Sequence, residues 1–232
     1  MKKFFTLIAA VAMAASMNAQ GTYAMQEGDN VKAGDQITSV ENITLTYMEN
    51  DGTAYAAVKK QTNWADADFG AYVCGKSNGK LVSGAEPTGC VYKFETTKAG
   101  SLTVAVQLNA NKGFHILDAE FAEVAPASYN LPAAKDGDSQ EFTQNEKGEN
   151  IIEEKSNGTV TFNVAEGGTY YVLATGTKMG FFGFKYEAGT STGISSIEAA
   201  AKNDGKTYNM AGQQVSSSFK GLVIKNGKKF VK

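Results

Sequence analysis

Apolar and polar positions alternate with a period of two along much of this chain. In Leu102-Thr103-Val104-Ala105-Val106-Gln107-Leu108 the large aliphatic residues fall on one side, as a strand with one buried face requires. Residues 159–165 repeat the pattern through Val160, Phe162 and Val164, and residues 169–175 resume it after Glu166-Gly167-Gly168. These two runs read as a hairpin closed by a glycine turn. Further runs of this kind cover residues 37–48, 69–74, 91–96, 114–117 and 179–187. Beyond the first twenty residues no segment carries a convincing apolar stripe of helical period; residues 196–202 make a helical turn at most.

Short strands separated by Gly, Asn and Asp turns predict an all-β body, a β-sandwich of jelly-roll type. The lack of crossover helices argues against a parallel α/β fold. Residues 126–150 are polar and rich in turn formers, and read as a mobile insertion on that body.

The two ends differ from the middle. Lys2-Lys3, an apolar run over residues 4–15 and a small residue at Ala19 have the layout of a secretory signal peptide cleaved after Ala19. The run is shorter than the roughly 20 apolar residues that cross a bilayer. The expected organisation is a signal peptide (1–19), a sandwich domain (20–188), a linker (189–205) opened by Gly189-Thr190-Ser191-Thr192-Gly193, and a small β unit (206–232). Asn226-Gly227 in that last unit sits between two apolar-lysine runs and favours a type I′ hairpin turn.

Charge narrows the possible partners. All 22 basic residues are lysine; without Lys2 and Lys3, 20 face 24 acidic residues, a net charge of −4. Nothing here draws the chain to nucleic acid, and no long apolar run after the signal peptide predicts a membrane span. A chain without arginine lacks the planar bidentate fork used for anionic ligands, so a neutral ligand fits better. Cys74 and Cys90, an even pair in an exported chain, predict a disulfide worth roughly 3 kcal/mol in the chain-entropy model.

The final 27 residues carry an ordered set of landmarks: Tyr208-Asn209, Gly212-Gln213, Val215, Lys220-Gly221, Ile224, Asn226-Gly227-Lys228-Lys229 and Lys232. This segment resembles the C-terminal sorting segments of secreted Bacteroidetes proteins, which the type IX (Por) secretion machinery reads at the outer membrane. Val223 stands where that family usually has tyrosine, Gln214 where a basic residue is common, and the unit is shorter than a full sorting domain. The resemblance implies passage through the periplasm to the cell surface or medium, with that machinery as a partner.

Within the body, Gly113-Phe114-His115-Ile116-Leu117 and residues 169–186, with their Gly180-Phe181-Phe182-Gly183-Phe184 core, resemble galactose-binding-like β-sandwich modules found beside polysaccharide-degrading enzymes. Many such modules bind glycans, so the resemblance implies a carbohydrate-binding surface. Fold analogy alone assigns no site.

Sugar recognition uses an aromatic face for the apolar side of a pyranose ring and polar groups for its hydroxyls. Trp64, Asp66 and Asp68 supply both in one turn-like stretch and are the candidate ligand-binding residues. The aromatics of residues 170–186, alternating with glycine, read as closely packed core strands. Residues 49–52 and 136–141 carry oxygen ligands at spacings that suit a structural calcium, though neither matches an EF-hand loop. Short acidic turns are far commoner than metal sites, so no cofactor is expected, and one histidine with a bridged cysteine pair leaves no zinc set. His115, the only histidine, lies in an apolar run without a nucleophile elbow, so no catalytic residue is assigned. The expected protein is a secreted, non-enzymatic β-sandwich that binds a glycan; its rival is a surface-structural or adhesive protein acting through protein contacts.

Overall fold

The computed structural model describes residues 20–49, 55, 59–60, 68–133 and 137–189, and the strand backbones at 207–209, 214–215, 222–225 and 228–231. In the body the strands are β1 (Gln20–Ala24), β2 (Gln36–Ile37), β3 (Ile43–Met48), β4 (Lys59–Lys60), β5 (Ala71–Cys74), β6 (Lys80–Val82), β7 (Ala85–Thr88) and β8 (Val91–Thr96). They continue as β9 (Gly100–Leu108), β10 (Phe114–Leu117), β11 (Ser128–Asn130), β12 (Thr143–Gln144), β13 (Asn150–Ile151), β14 (Ser156–Val164), β15 (Thr169–Ala174) and β16 (Gly180–Ala188). One sheet runs β11-β14-β9-β16-β5-β4, with β1 also on β16; the other runs β12-β13-β10-β15-β8-β3-β2. The body is all-β, two antiparallel sheets over one core, as the alternation predicts.

The core is what alternation turns inward from both sheets. Leu102, Val104, Val106, Val160, Phe162 and Phe184 meet Leu45, Tyr47, Tyr92, Phe94, Ile116 and Val172 in one apolar cluster. Aromatic rings bridge the sheets: Phe181 stacks on Tyr92 with centroids 4.3 Å apart, and Phe94 meets Phe184 edge to face at 5.3 Å. Each buried ring contributes roughly 1.5–3 kcal/mol of transfer free energy.

β16 is the strand on which the first sheet turns. Its opening residues Gly180 and Phe181 pair with β5, while residues from Gly183 onward pair with β1 on the same edge. Between them the register against β9 shifts, with Phe181 opposite Val106 and Gly183 opposite Ala105. The extra residue is a β-bulge, which resets the alternation so that Phe181 and Phe184 both reach the core while Phe182 packs outward with Phe69 and Ala105. Gly183 makes the bulge possible: its φ is 142°, and a Cβ there would lie 2.0 Å from the Tyr23 carbonyl oxygen.

Three expectations need correction. The runs now seen as β14 and β15 form no hairpin, because they belong to opposite sheets. The glycine stretch between them is a crossover from one layer to the other. Tyr170 Oη accepts from the Ala165 amide at 2.7 Å, and Thr96 donates its amide to Gly168 at 2.9 Å and its hydroxyl to Ala165 at 2.7 Å. Period-two patterning reports which face is buried, and both layers of a sandwich give the same signal.

Residues 126–150 are not a plain insertion either. β11 closes the edge of one sheet against β14, and β12 and β13 extend the other beyond β10. Their apolar anchors, fully buried Leu131 and the ring of Phe142 stacked 5.6 Å from Phe114, were too sparse to register as alternation.

Finally, Cys74 and Cys90 are not bridged. Along β5 the core side is taken by Ala71 and Val73, which sends Cys74 to the other face. The next residue, Gly75, is the one aimed at Cys90; a Cβ there would lie 2.3 Å from the Cys90 sulfur. Cys90 is buried with its sulfur 3.6 Å from Tyr92 Oη, and burial pushes its thiol up to about 11, so it is inert as a nucleophile.

The C-terminal unit, residues 191–232, is a four-stranded antiparallel sheet of β17 (Thr207–Asn209), β18 (Gln214–Val215), β19 (Leu222–Lys225) and β20 (Lys228–Val231), in the order β18-β17-β19-β20. Lys225 pairs with Lys228, the register that a two-residue connection at Asn226-Gly227 demands.

Gly183→Ala should lose at least about 3 kcal/mol of stability in urea unfolding, since strained φ and a backbone clash add. A loss below about 1 kcal/mol would show that the bulge relaxes without cost.

Candidate functional site

β10 is buried on both faces, against the main core on one side and a smaller apolar cluster of Val91, Leu117, Tyr171 and Leu173 on the other. Phe114 and Ile116 point inward, which turns His115 onto the outer face of its sheet, opposite Leu173. There the imidazole is only 2% exposed. Nδ1 lies 2.5 Å from Glu123 Oε1; because a carboxylate only accepts, Nδ1 is the donor. Nε2 faces Thr175 Oγ1 at 3.3 Å and Glu149 Oε1 at 3.6 Å.

Glu149 is the centre of a second set of contacts. Thr175 donates its hydroxyl to Oε1 at 3.0 Å, and Asn145 donates its side-chain amide to Oε2 at 2.7 Å. Asn145 also fixes the loop that carries Glu149, its Oδ1 accepting from the amides of Lys147 at 2.9 Å and Glu149 at 3.0 Å. The hydrogen bond from Asn145 is the main cause that holds the Glu149 carboxyl below its usual 4.5; partial burial opposes it, and Thr175, His115 and Lys147 reinforce it. Glu149 is therefore a fixed anion at neutral pH.

These groups floor a pocket of about 230 Å³ with Asn111, Lys112, Lys147 and Gly176 on its walls. Gly113 opens it: a Cβ there would fall 2.4 Å from Thr175 Oγ1 and 3.0 Å from both the Glu149 carboxyl carbon and His115 Nε2. Asn111, at φ 57°, occupies the left-handed region that Asn tolerates, and so turns the chain out of β9 toward the pocket. The lining holds ammonium and amide donors and a carboxylate acceptor, and no large apolar side chain. Such a lining offers hydrogen-bonding groups and no aromatic face for stacking. A carboxylate has about four lone-pair positions, and the two hydrogen bonds to Glu149 leave capacity for a ligand.

The residues singled out in the sequence fall elsewhere. Trp64 and Asp66 lie outside the described residues. Asp68 is ion-paired to Lys185 at 2.8 Å on the outer face of the first sheet, where the Lys185 ammonium also lies 5.2 Å from the Phe69 ring centroid. Of the two turns suited to calcium, 50–52 and 136 lie outside the described residues, and Glu49 accepts from the amides of Lys76 and Ser77. Among the described residues no cluster of three His, Cys, Asp or Glu side chains has the geometry to hold a metal ion.

In the tail, Tyr208, Asn209, Val215, Ile224, Lys228 and Lys229 lie on strands; Gly212, Gln213, Lys220, Gly221, Asn226, Gly227 and Lys232 lie outside the described residues. Sequence reasoning noticed His115 and missed Glu123, Asn145, Glu149 and Thr175. The one usable signal was Asn145-Glu146-Lys147-Gly148, a turn whose Asn precedes an acid by four positions.

No protein-family model matches the chain, and no curated protein is detectably similar to it. The pocket therefore rests on its own chemistry.

Because Glu149's carboxyl is lowered in the folded protein, its contribution is complete above the usual carboxylate range and fades as pH falls through the lowered value. Asn145→Ala should raise the Glu149 midpoint toward 4.5 in a carboxyl-carbon NMR titration. An unmoved midpoint would assign the shift to other partners.

Proposed function

We propose that this is an exported, non-catalytic β-sandwich that binds a neutral glycan, and that the polar pocket at Glu149 receives one sugar unit. The observation that carries the reading is an ionised, doubly anchored carboxylate beside amide and ammonium donors in a cleft kept open by Gly113. A pair of neighbouring sugar hydroxyls suits that array, donating to Glu149 and accepting from Asn or Lys.

Thr175, His115 and Glu123 lie in the order of a nucleophile, base and orienting acid, which makes hydrolysis the competing idea. A nucleophilic hydroxyl must yield its proton to the imidazole. Thr175 directs its proton to Glu149 instead, which favours binding over catalysis.

Calorimetric titration with a panel of neutral oligosaccharides should give binding that Glu149→Gln weakens at least tenfold, about 1.4 kcal/mol. Trp64→Ala run in parallel separates this pocket from the stretch holding Trp64, Asp66 and Asp68. Failure of the whole panel, or full affinity in Glu149→Gln, ends the assignment of this pocket.

The address is proposed from the two ends of the chain, the leader at 1–19 and the sorting-like tail. A chain ended at residue 205 should accumulate in the periplasm when cell fractions are blotted. Undiminished surface display of that chain would remove the sorting role.

A further inference from the structure

The hairpin of β6 and β7 forms a two-stranded sheet of its own, tied through Glu86 to Tyr171 on the outer face of the second sheet. Its base is fastened firmly. The Gly79 amide donates to the Ala174 carbonyl at 3.0 Å, and Glu86 accepts from Tyr171 Oη at 3.0 Å. Its tip carries Leu81 and Val82, 45% and 40% exposed, the large apolar side chains most open to solvent among the described residues.

Facing that tip is the turn of residues 117–123. Asp118 Oδ1 accepts from the amides of Glu120 at 3.0 Å and Ala122 at 2.9 Å, which fixes the turn. Phe121 is held there at φ 64°, a region bulky residues rarely enter, with its ring 5.7 Å from that of Tyr171. Between hairpin and turn lies a groove of about 520 Å³, walled by Leu81, Val82, Leu117 and Phe121 and rimmed by Glu120 and Glu123, with no cationic side chain in its lining.

From this geometry we infer that the groove is a docking site for an extended polypeptide segment that alternates apolar and lysine residues. Three features select that occupant. The apolar walls take one face of the segment, and the two carboxylates complement cations on the other. Among the described strands β6 pairs only with β7, and its residues are exposed, so its outer edge can take main-chain hydrogen bonds from an incoming strand. The clamped base and the fixed turn mean that little ordering is left to oppose binding. This groove shares no lining residue with the sugar pocket; the Glu123 carboxylate on its rim accepts from His115, whose Nε2 faces Glu149.

The test uses the full chain and a fluorescent hexapeptide alternating lysine and valine, with its glutamate–valine counterpart as control, followed by anisotropy. The lysine peptide should bind at least tenfold tighter than the control and weaken as salt is raised from about 0.05 to 0.3 M. Leu81→Asp, at an exposed position that folding tolerates, should reduce its affinity at least tenfold, and Glu120→Lys should shift preference toward the glutamate peptide. Absence of binding, equal binding of the two peptides, full affinity in Leu81→Asp, or displacement of the peptide by neutral oligosaccharide each overturns the inference.

Discussion

The bulge at Phe182-Gly183 is the constraint on which the first sheet depends. A long strand in a sandwich normally keeps one partner on each edge; β16 exchanges β5 for β1 part-way along the same edge. That exchange needs the chain to shift by one residue without losing its buried face, and a single residue at positive φ with no Cβ allows it. Phe181 and Phe184 then reach the opposite layer, where Tyr92 and Phe94 receive them. The Gly180-Phe181-Phe182-Gly183-Phe184 sequence is thus one device: Gly180 lets Tyr72 and Gln107 close over the strand, and Gly183 makes the bulge.

The site follows from the second sheet by the same logic. β10 needs only two inward residues, Phe114 and Ile116, to hold its place, and strict alternation then puts His115 on the outer face. An imidazole that is nearly enclosed must find partners, and it finds them on three different segments, at Glu123, Glu149 and Thr175. Burial of a polar ring therefore gathers distant acids, and the gathered acids define both clefts. Glu149 belongs to the polar one and Glu123 to the apolar one, with His115 between them.

What could be read in the sequence was whatever depends on a residue's own neighbours along the chain. The strands at 91–96, 102–108 and 114–117 and the terminal hairpin at Asn226-Gly227 were legible, because period-two burial and a two-residue turn are local. Partnership between strands is not local. The segments at 159–165 and 169–175 look like a hairpin in every local respect, yet each has its apolar side satisfied by the other's sheet. The same distinction explains the cysteines. Compartment and parity argue for a bridge, but the pleat decides where a sulfur points, and Gly75 rather than Cys74 occupies the position aimed at Cys90.

The acids that line the two clefts were illegible for a related reason. Glu149 and Glu123 are two of many acidic residues, and nothing in the residues beside them distinguishes a fixed anion in a pocket from a solvated one. What separates Glu149 is a turn made by Asn145 and a hydroxyl delivered by Thr175, 26 positions away. A motif search seeks chemistry that is contiguous or regularly spaced; a sandwich assembles its chemistry from the ends of strands that are neighbours only after two sheets close. The glycine at 113 was the most telling residue in this respect. It sits one step before a strand, where any small residue would suffice for the backbone, and only the side chains converging on it explain why a Cβ has no room there.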